Sequence, residues 1–400
     1  MSRGVSRRGF LKALAAGTGA AIGTRVAGGA AGWIGEARAA TDSASAVVLL
    51  YLTGGFNELF VSPDGLVGKF SIQPGGFTAL ANDVFIDNTW GNALSPYAKQ
   101  HLAVIGCRHG TNGHEIAQRA LWAHNEQNAG LVLADAIGGS APIKAAVVGS
   151  GLNVNTIMSP YKDISFQRID DMQATINALG GGSSNPRLPD RAIALAGIGG
   201  AQAMSQAHFA SSPKSLVSAD QAYKVAIETL KTPTKPFSFT DLAEAYGLNA
   251  TAVSSFKAKF AAAELMVRAG TNVVAIFDND VWDSHEDPSG TGDRNRMTGH
   301  VHGPMNTFIS RMIENNPTQN VVLCVMGDFG RDTTPLTGHT IDLSAAVFGR
   351  FVKVGSTGRV VSNGYQKNPG PGVAQLWSYL ASACKAPTNP FGANPHPLVL

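Results

Sequence analysis

Apolar residues in this chain gather into short unbroken runs, separated by longer stretches with a helical character. The runs are Ala46–Thr53, Leu102–Cys107, Ala145–Val148, Asn272–Phe277 and Asn320–Met326. They are rich in Val, Ile and Leu and show little polar alternation, which predicts strands buried on both faces. Phe351–Val354, interrupted by Lys353, reads as a later and more exposed strand. Between the runs, His114–Gln127, Val253–Val267, Met305–Glu314 and Val373–Cys384 carry the composition of helices. Glu115 and Arg119 are spaced to pair across one helical turn. Ala269-Gly270 closes the second helix just before the strand at 272. Strands alternating with helices in this way predict an α/β fold, a mostly parallel sheet sandwiched by helices.

The middle of the chain breaks the alternation. Gly180–Pro186 is a Gly/Ser-rich linker, and from there to about Phe239 the sequence is Ala-, Ser- and Gln-rich with no strong strand. Residues 155–250 therefore read as a helical insertion or cap on a single domain spanning 40–400. About 360 residues suffice for one large α/β domain with a substantial core.

Residues 1–39 follow a different logic. Ser6-Arg7-Arg8-Gly9-Phe10-Leu11-Lys12 places paired arginines ahead of an apolar residue and a lysine. A weakly apolar, Ala/Gly-rich stretch follows from Ala13 to Ala31, and Ala37-Arg38-Ala39 supplies small residues for a signal peptidase. The expectation is a twin-arginine signal peptide, export of the folded chain by the twin-arginine translocase, and a periplasmic or secreted location. Arg25 and the low leucine density argue against a permanent membrane anchor.

Charge changes the picture once this segment is set aside. It holds six basic residues against Glu36, a net of +5 within a chain of +3, so the remainder carries −2. No basic run survives, which argues against nucleic acid or anionic lipid as a partner. Cys107 and Cys324 lie inside apolar runs and no CxxC pair occurs, so cysteine-based metal or redox chemistry is not expected.

In open α/β sheets, functional side chains collect beyond the carboxyl ends of the strands. Here those positions hold Gly54-Gly55-Phe56-Asn57-Glu58, Arg108-His109-Gly110-Thr111-Asn112-Gly113-His114, and Asp283-Ser284-His285 a few residues past Phe277. The last run delivers Asp328-Phe329-Gly330-Arg331 and, slightly later, Gly338-His339. Carboxylates and imidazoles converging on one sheet edge are what a zinc, manganese or calcium ion needs. Thr111 or Asn112 would stand in the positive field of the helix starting near His114, a place for a nucleophile or an anion, or for an ordinary helix cap. Arg331 is suited to a phosphate or sulfate oxygen, or to pairing with Asp328 or Asp332.

At Leu49–Leu59, His101–Gln118, Phe260–His285, Val321–Arg331 and Gly338-His339, the chain resembles the DUF1501 family of secreted, twin-arginine-exported bacterial proteins. That family looks like a branch of the alkaline phosphatase/sulfatase superfamily. The resemblance implies an alkaline phosphatase-like fold, a divalent metal on strand-end acids and histidines, and a hydroxyl that accepts a phosphoryl or sulfuryl group. Asp283, His285, Asp328 and His339 match family positions, with Glu58 and His114 completing the candidate metal set. Thr111 and Arg331 are the catalytic candidates. Two departures stand out: Asn57 where the family has an acid, and Gly113 where it has Ser. Either Glu58 and Thr111 take over these roles or the site is degraded. The implied function is an exported metal-dependent hydrolase of phosphate or sulfate esters. The alternative is a non-catalytic secreted or cell-surface binding protein on the same fold, taking a surface polymer or a protein partner.

Overall fold

The computed structural model describes residues 45–400 apart from 82, 150–159, 180–187, 209–219, 221–222, 229, 232–237, 279–281, 334–335, 369 and 371. The signal peptide expected at 1–39 and the linker at 180–186 lie outside the described residues.

The central sheet is built from β1 (Ser45–Leu52), β2 (Leu102–Arg108), β3 (Ala145–Val148), β4 (Phe166–Ile169), β5 (Val273–Asp278), β6 (Asn320–Gly327), β7 (Asp342–Gly349) and β8 (Gly355–Ser356). Their order across the sheet is β8-β2-β7-β6-β1-β5-β3-β4. β1 lies between β6 and β5, parallel to both. β3 and β4 extend that side in the same direction. Only β7 is reversed, antiparallel to β6 and to β2. The sheet is therefore mostly parallel, as the pattern of runs predicts.

Both faces of the sheet are covered, and β1 shows why its sequence has no polar alternation. Val48, Leu50 and Leu52 belong to one hydrophobic cluster and Val47, Leu49 and Tyr51 to the other. On the first face pack α3 (Phe256–Arg268), through Phe260 and Met266, and α4 (His302–Phe308), through Met305 and Phe308. On the second pack α1 (His114–Trp122), α2 (Ala129–Ile137) and α5 (Val373–Ala383), through Trp122, Leu131 and Trp377. Each such fully buried side chain contributes roughly 1.5–3 kcal/mol against its exposed state. The Ser255 hydroxyl caps α3 by accepting from Ala258 N, which satisfies one of the helix's orphan donors.

Several elements differ from expectation, each for a local reason. The helix expected over 114–127 stops at Trp122, because Asn125 and Glu126 adopt positive φ in a tight ribbon pairing Ala123–His124 with Gln127–Asn128. Asn128 then caps α2. The strand expected at 351–354 is absent; Val352 makes a single bridge to Val399. The strand of that region is β7, whose Asp342 and Ser344 hide it from an apolar-run reading. Asp342 is ion-paired to Arg108 at 2.6 Å, and the Ser344 hydroxyl donates to Gly358 O. The segment 155–250 supplies helices at Met172–Leu179, Leu188–His208 and Phe239–Tyr246, but it also supplies β4 at the sheet edge. Cys107, Cys324 and Cys384 are free and buried. No helix among the described residues is long and apolar enough to cross a membrane.

Candidate metal centre

The carboxyl ends of β1, β5 and β6 open toward one edge, and the loop after β2 folds onto the same edge. Two glycines allow the close approach. Gly54 and Gly55 follow β1 with φ of 108° and 134°. A Cβ on Gly54 would sit 2.3 Å from Asp283 N, and one on Gly55 would sit 2.8 Å from Phe329 O. The loops carrying Asp283 and Phe329 can thus rest directly on the end of β1.

Asp283 is the hub. Its Oδ2 lies 3.2 Å from His114 Nε2, and its Oδ1 lies 3.3 Å from His285 Nε2 and 3.5 Å from His339 Nε2. The ligand atoms of His114, Asp283, His285 and His339 all fall within 4.8 Å of one another. They arrive from three settings. His114 is the first residue of α1, and Asp283 and His285 sit in the loop after β5. His339 comes from a hairpin pairing Arg331–Thr333 with Leu336–His339, in which His339 is the direct cross-strand partner of Arg331. That register delivers a guanidinium and an imidazole together: Arg331 Nη1 meets Asp283 Oδ1 at 2.9 Å.

Hydrogen bonds on the far ring nitrogens orient two of the histidines. His339 Nδ1 donates to Asn112 O at 2.7 Å, and its ring stacks on Phe329 at 3.9 Å, which turns Nε2 toward Asp283. Nε2 itself is buried and forms no hydrogen bond. His114 Nδ1 donates to Asp328 at 2.7 Å, again turning Nε2 toward Asp283. Burial, with Arg331 and the neighbouring imidazoles, lowers the pKa of His339. The hydrogen bond to Asp328 raises that of His114. Burial alone would raise Asp283, but Arg331 and the surrounding histidines hold it below the usual carboxylate value.

The remaining sequence-derived candidates lie outside the four-donor group, although Asp328 and Arg331 touch its members. Asp328 is wholly buried behind His114, with Tyr51, Gly54 N, Gln118 and His114 as its donors. Glu58 is wholly buried beneath Gly330 and accepts from Arg331 N at 2.8 Å; burial pushes its carboxyl up to about 8. Asn57 caps the short helix Glu58–Phe60 and donates to Asp293. The Thr111 hydroxyl accepts from Gly113 N within its own loop. Gly113, not Thr111 or Asn112, is the N-cap of α1. Arg331 is wholly buried, donating to Gly54 O and Trp282 O as well as reaching Asp283.

Sequence reasoning missed Tyr51 and Gln118. Gln118 had a usable signal, since it lies four residues after His114 on the same helix face. Tyr51 had none beyond the need of a buried phenol for a partner, because its partner lies 277 positions away.

Three imidazoles and one carboxylate form a nitrogen-rich donor set that fits a borderline divalent ion such as zinc. Calcium, which takes roughly six to eight oxygens, fits it poorly. Fold and site together define an α/β protein with a partly exposed histidine–aspartate cluster at the carboxyl edge of its sheet. The family model described as Protein of unknown function (DUF1501) matches residues 210–350, which supports that family for this chain. The matched span includes Asp283, His285, Asp328, Arg331 and His339. No curated protein and no solved structure matches the chain.

Proposed function

We propose that this chain is an exported, metal-dependent hydrolase of phosphate or sulfate esters on an alkaline phosphatase-like fold, holding one divalent ion on His114, Asp283, His285 and His339. The observation that carries the reading is the meeting of those four donors, from three separate chain segments, within 4.8 Å. A bound divalent ion would supply Lewis acidity and lower the pKa of a bound water. Arg331 fixes Asp283 and adds positive charge beside the three imidazoles, a setting suited to an anionic ester. Side-chain exposures of 33% for Asp283 and 49% for His285 leave the centre open to solvent. Catalytic centres keep such an opening, whereas structural zinc sites are closed. Glu58 is engaged by Arg331 N, and Asp328 by Tyr51, Gly54, Gln118 and His114; neither joins the four converging donors, which favours one ion rather than two. Residues 1–39 would direct the chain through the twin-arginine translocase to the periplasm or beyond.

A second reading, a secreted or surface-bound binding protein, draws support from Gly113, which offers no hydroxyl where the resembling family has Ser, and from the engagement of Thr111 in its own loop. Metal analysis of the purified chain, joined to a screen with chromogenic phosphate and sulfate esters, separates the two. Stoichiometric metal with turnover lost in Asp283→Ala supports the hydrolase. Stoichiometric metal without turnover supports the binding protein. Absence of metal after folding with zinc or manganese supplied removes the metal centre.

A further inference from the structure

We propose that Tyr51 and Asp328 form a positioning pair that holds His114 in its metal-binding orientation, so that Asp328 acts through His114 and is not itself a ligand. The inference rests on the metal-centre reading above and assigns a role to residues outside the cluster.

The argument is one of saturation. A carboxylate offers about four lone-pair sites. At Asp328, Oδ1 accepts from the Tyr51 hydroxyl at 2.5 Å. Oδ2 accepts from His114 Nδ1 at 2.7 Å, Gly54 N at 3.1 Å and Gln118 Nε2 at 3.1 Å. Three donors crowd Oδ2, the oxygen that meets His114, and leave it no lone pair for an ion; Oδ1 is held by the phenol, and the residue is wholly buried and outside the group of converging donors. An unpaired carboxylate at this depth would be costly, so the donors and the acceptor hold one another in place.

The arrangement propagates to the surface in one direction. Tyr51, in β1, is locked by Trp122 and Phe277, with ring centroids at 5.9 and 5.4 Å. Burial lifts its phenol well above the ordinary value, so it stays a donor. Asp328, thus anchored, takes the Nδ1 proton of His114 as its hydrogen bond, and Gln118 on the next turn of α1 binds the same oxygen. The His114 ring can then present only Nε2 to the cluster. Carboxylates that fix an imidazole in this way typically tune metal affinity by roughly 10- to 100-fold.

The test uses the full chain and its Tyr51→Phe, Asp328→Asn and Asp283→Ala variants. Zinc affinity is read by competition with a chromophoric chelator, coordination by the visible spectrum of the cobalt-loaded protein, and folding by circular dichroism. Tyr51→Phe and Asp328→Asn are expected to weaken zinc binding about 10- to 100-fold while leaving the cobalt spectrum in its wild-type form. Asp283→Ala, which removes a donor, is expected to change that spectrum. Unaltered zinc affinity in folded Tyr51→Phe would overturn the positioning role while leaving the metal centre standing. A cobalt spectrum in Asp328→Asn altered like that of Asp283→Ala would make Asp328 a ligand and overturn it equally. A wild-type chain that binds no zinc removes both the centre and the pair. Should Asp328→Asn fail to fold, Tyr51→Phe, which keeps the ring packing, decides alone.

Discussion

Arg331 and Asp283 meet at 2.9 Å with unequal surroundings: the guanidinium is wholly buried and the carboxylate is one-third exposed. The arginine also donates to Gly54 O and Trp282 O. It therefore ties the end of β1 to the loop that carries Asp283 and His285. The ion pair belongs to the scaffold as much as to the chemistry.

Removing either partner is expected to have different costs. Arg331→Leu strips two buried carbonyls of their donor and releases the site loop, an effect on the order of 3 kcal/mol. Asp283→Ala leaves the guanidinium held by both carbonyls and should destabilise less. Denaturant unfolding of the two variants checks the order. Equal losses would mean that the carbonyls do not share the burden.

Gly54 should tolerate no side chain. Its φ of 108° disfavours any L-residue, and a Cβ there would lie 2.3 Å from Asp283 N. Gly54→Ala is expected to displace the 282–285 loop. A loss of zinc affinity exceeding that of Tyr51→Phe would register it, whereas wild-type affinity would show that the loop is free to move.

Glu58 sets a dependence of stability on pH. Burial raises its folded carboxyl from 4.5 to about 8. The folded chain therefore keeps this proton over a range in which the unfolded chain has lost it. Stability from this group is complete below about pH 4.5, declines as pH rises toward 8, and is flat beyond. Glu58→Gln retains an acceptor for Arg331 N and should remove the decline. The difference in unfolding free energy between the two chains, measured from pH 5 to 9, should widen with pH in favour of the variant. A constant difference would place a charged Glu58 in the fold.

How far the sequence spoke depended on whether the physics was local. β1, β5 and β6 were legible because strands buried on both faces must be apolar at successive positions. β7 was not, since Asp342 and Ser344 are tolerated there only through partners distant in sequence, Arg108 and Gly358. The apolar stretch at 351–354 imitated a strand but found only one bridge. At the site, the strand-end rule located His114, Asp283, His285 and His339, whose positions follow from topology. It could not separate them from Asp328, because the distinction lies in a hydrogen bond from Tyr51 across 277 residues.

Export is testable independently of chemistry. The paired Arg7-Arg8 ahead of Phe10 and Leu11 is the recognition feature of the proposed leader. Replacing both arginines by lysine keeps the charge and should retain the full-length precursor in the cytoplasm. Fractionation followed by mass determination of the N-terminus reads the result. Cleaved protein outside the cytoplasm despite both substitutions would point to a different route.

Metal should stabilise the fold measurably, because its donors come from separated segments that the unfolded chain does not hold together. Binding to the folded state alone adds about 2.7 kcal/mol when free zinc reaches roughly one hundred times its dissociation constant. Zinc is therefore expected to raise the melting temperature and a strong chelator to reverse the rise. His339→Ala provides the sharpest control. It removes a donor at the end of a hairpin that Arg331 still anchors, together with the Nδ1 bond to Asn112 O and the stacking on Phe329. The variant should melt below the zinc-free wild type and show no shift on adding zinc. A full zinc-dependent shift in His339→Ala would move the ion away from this cluster.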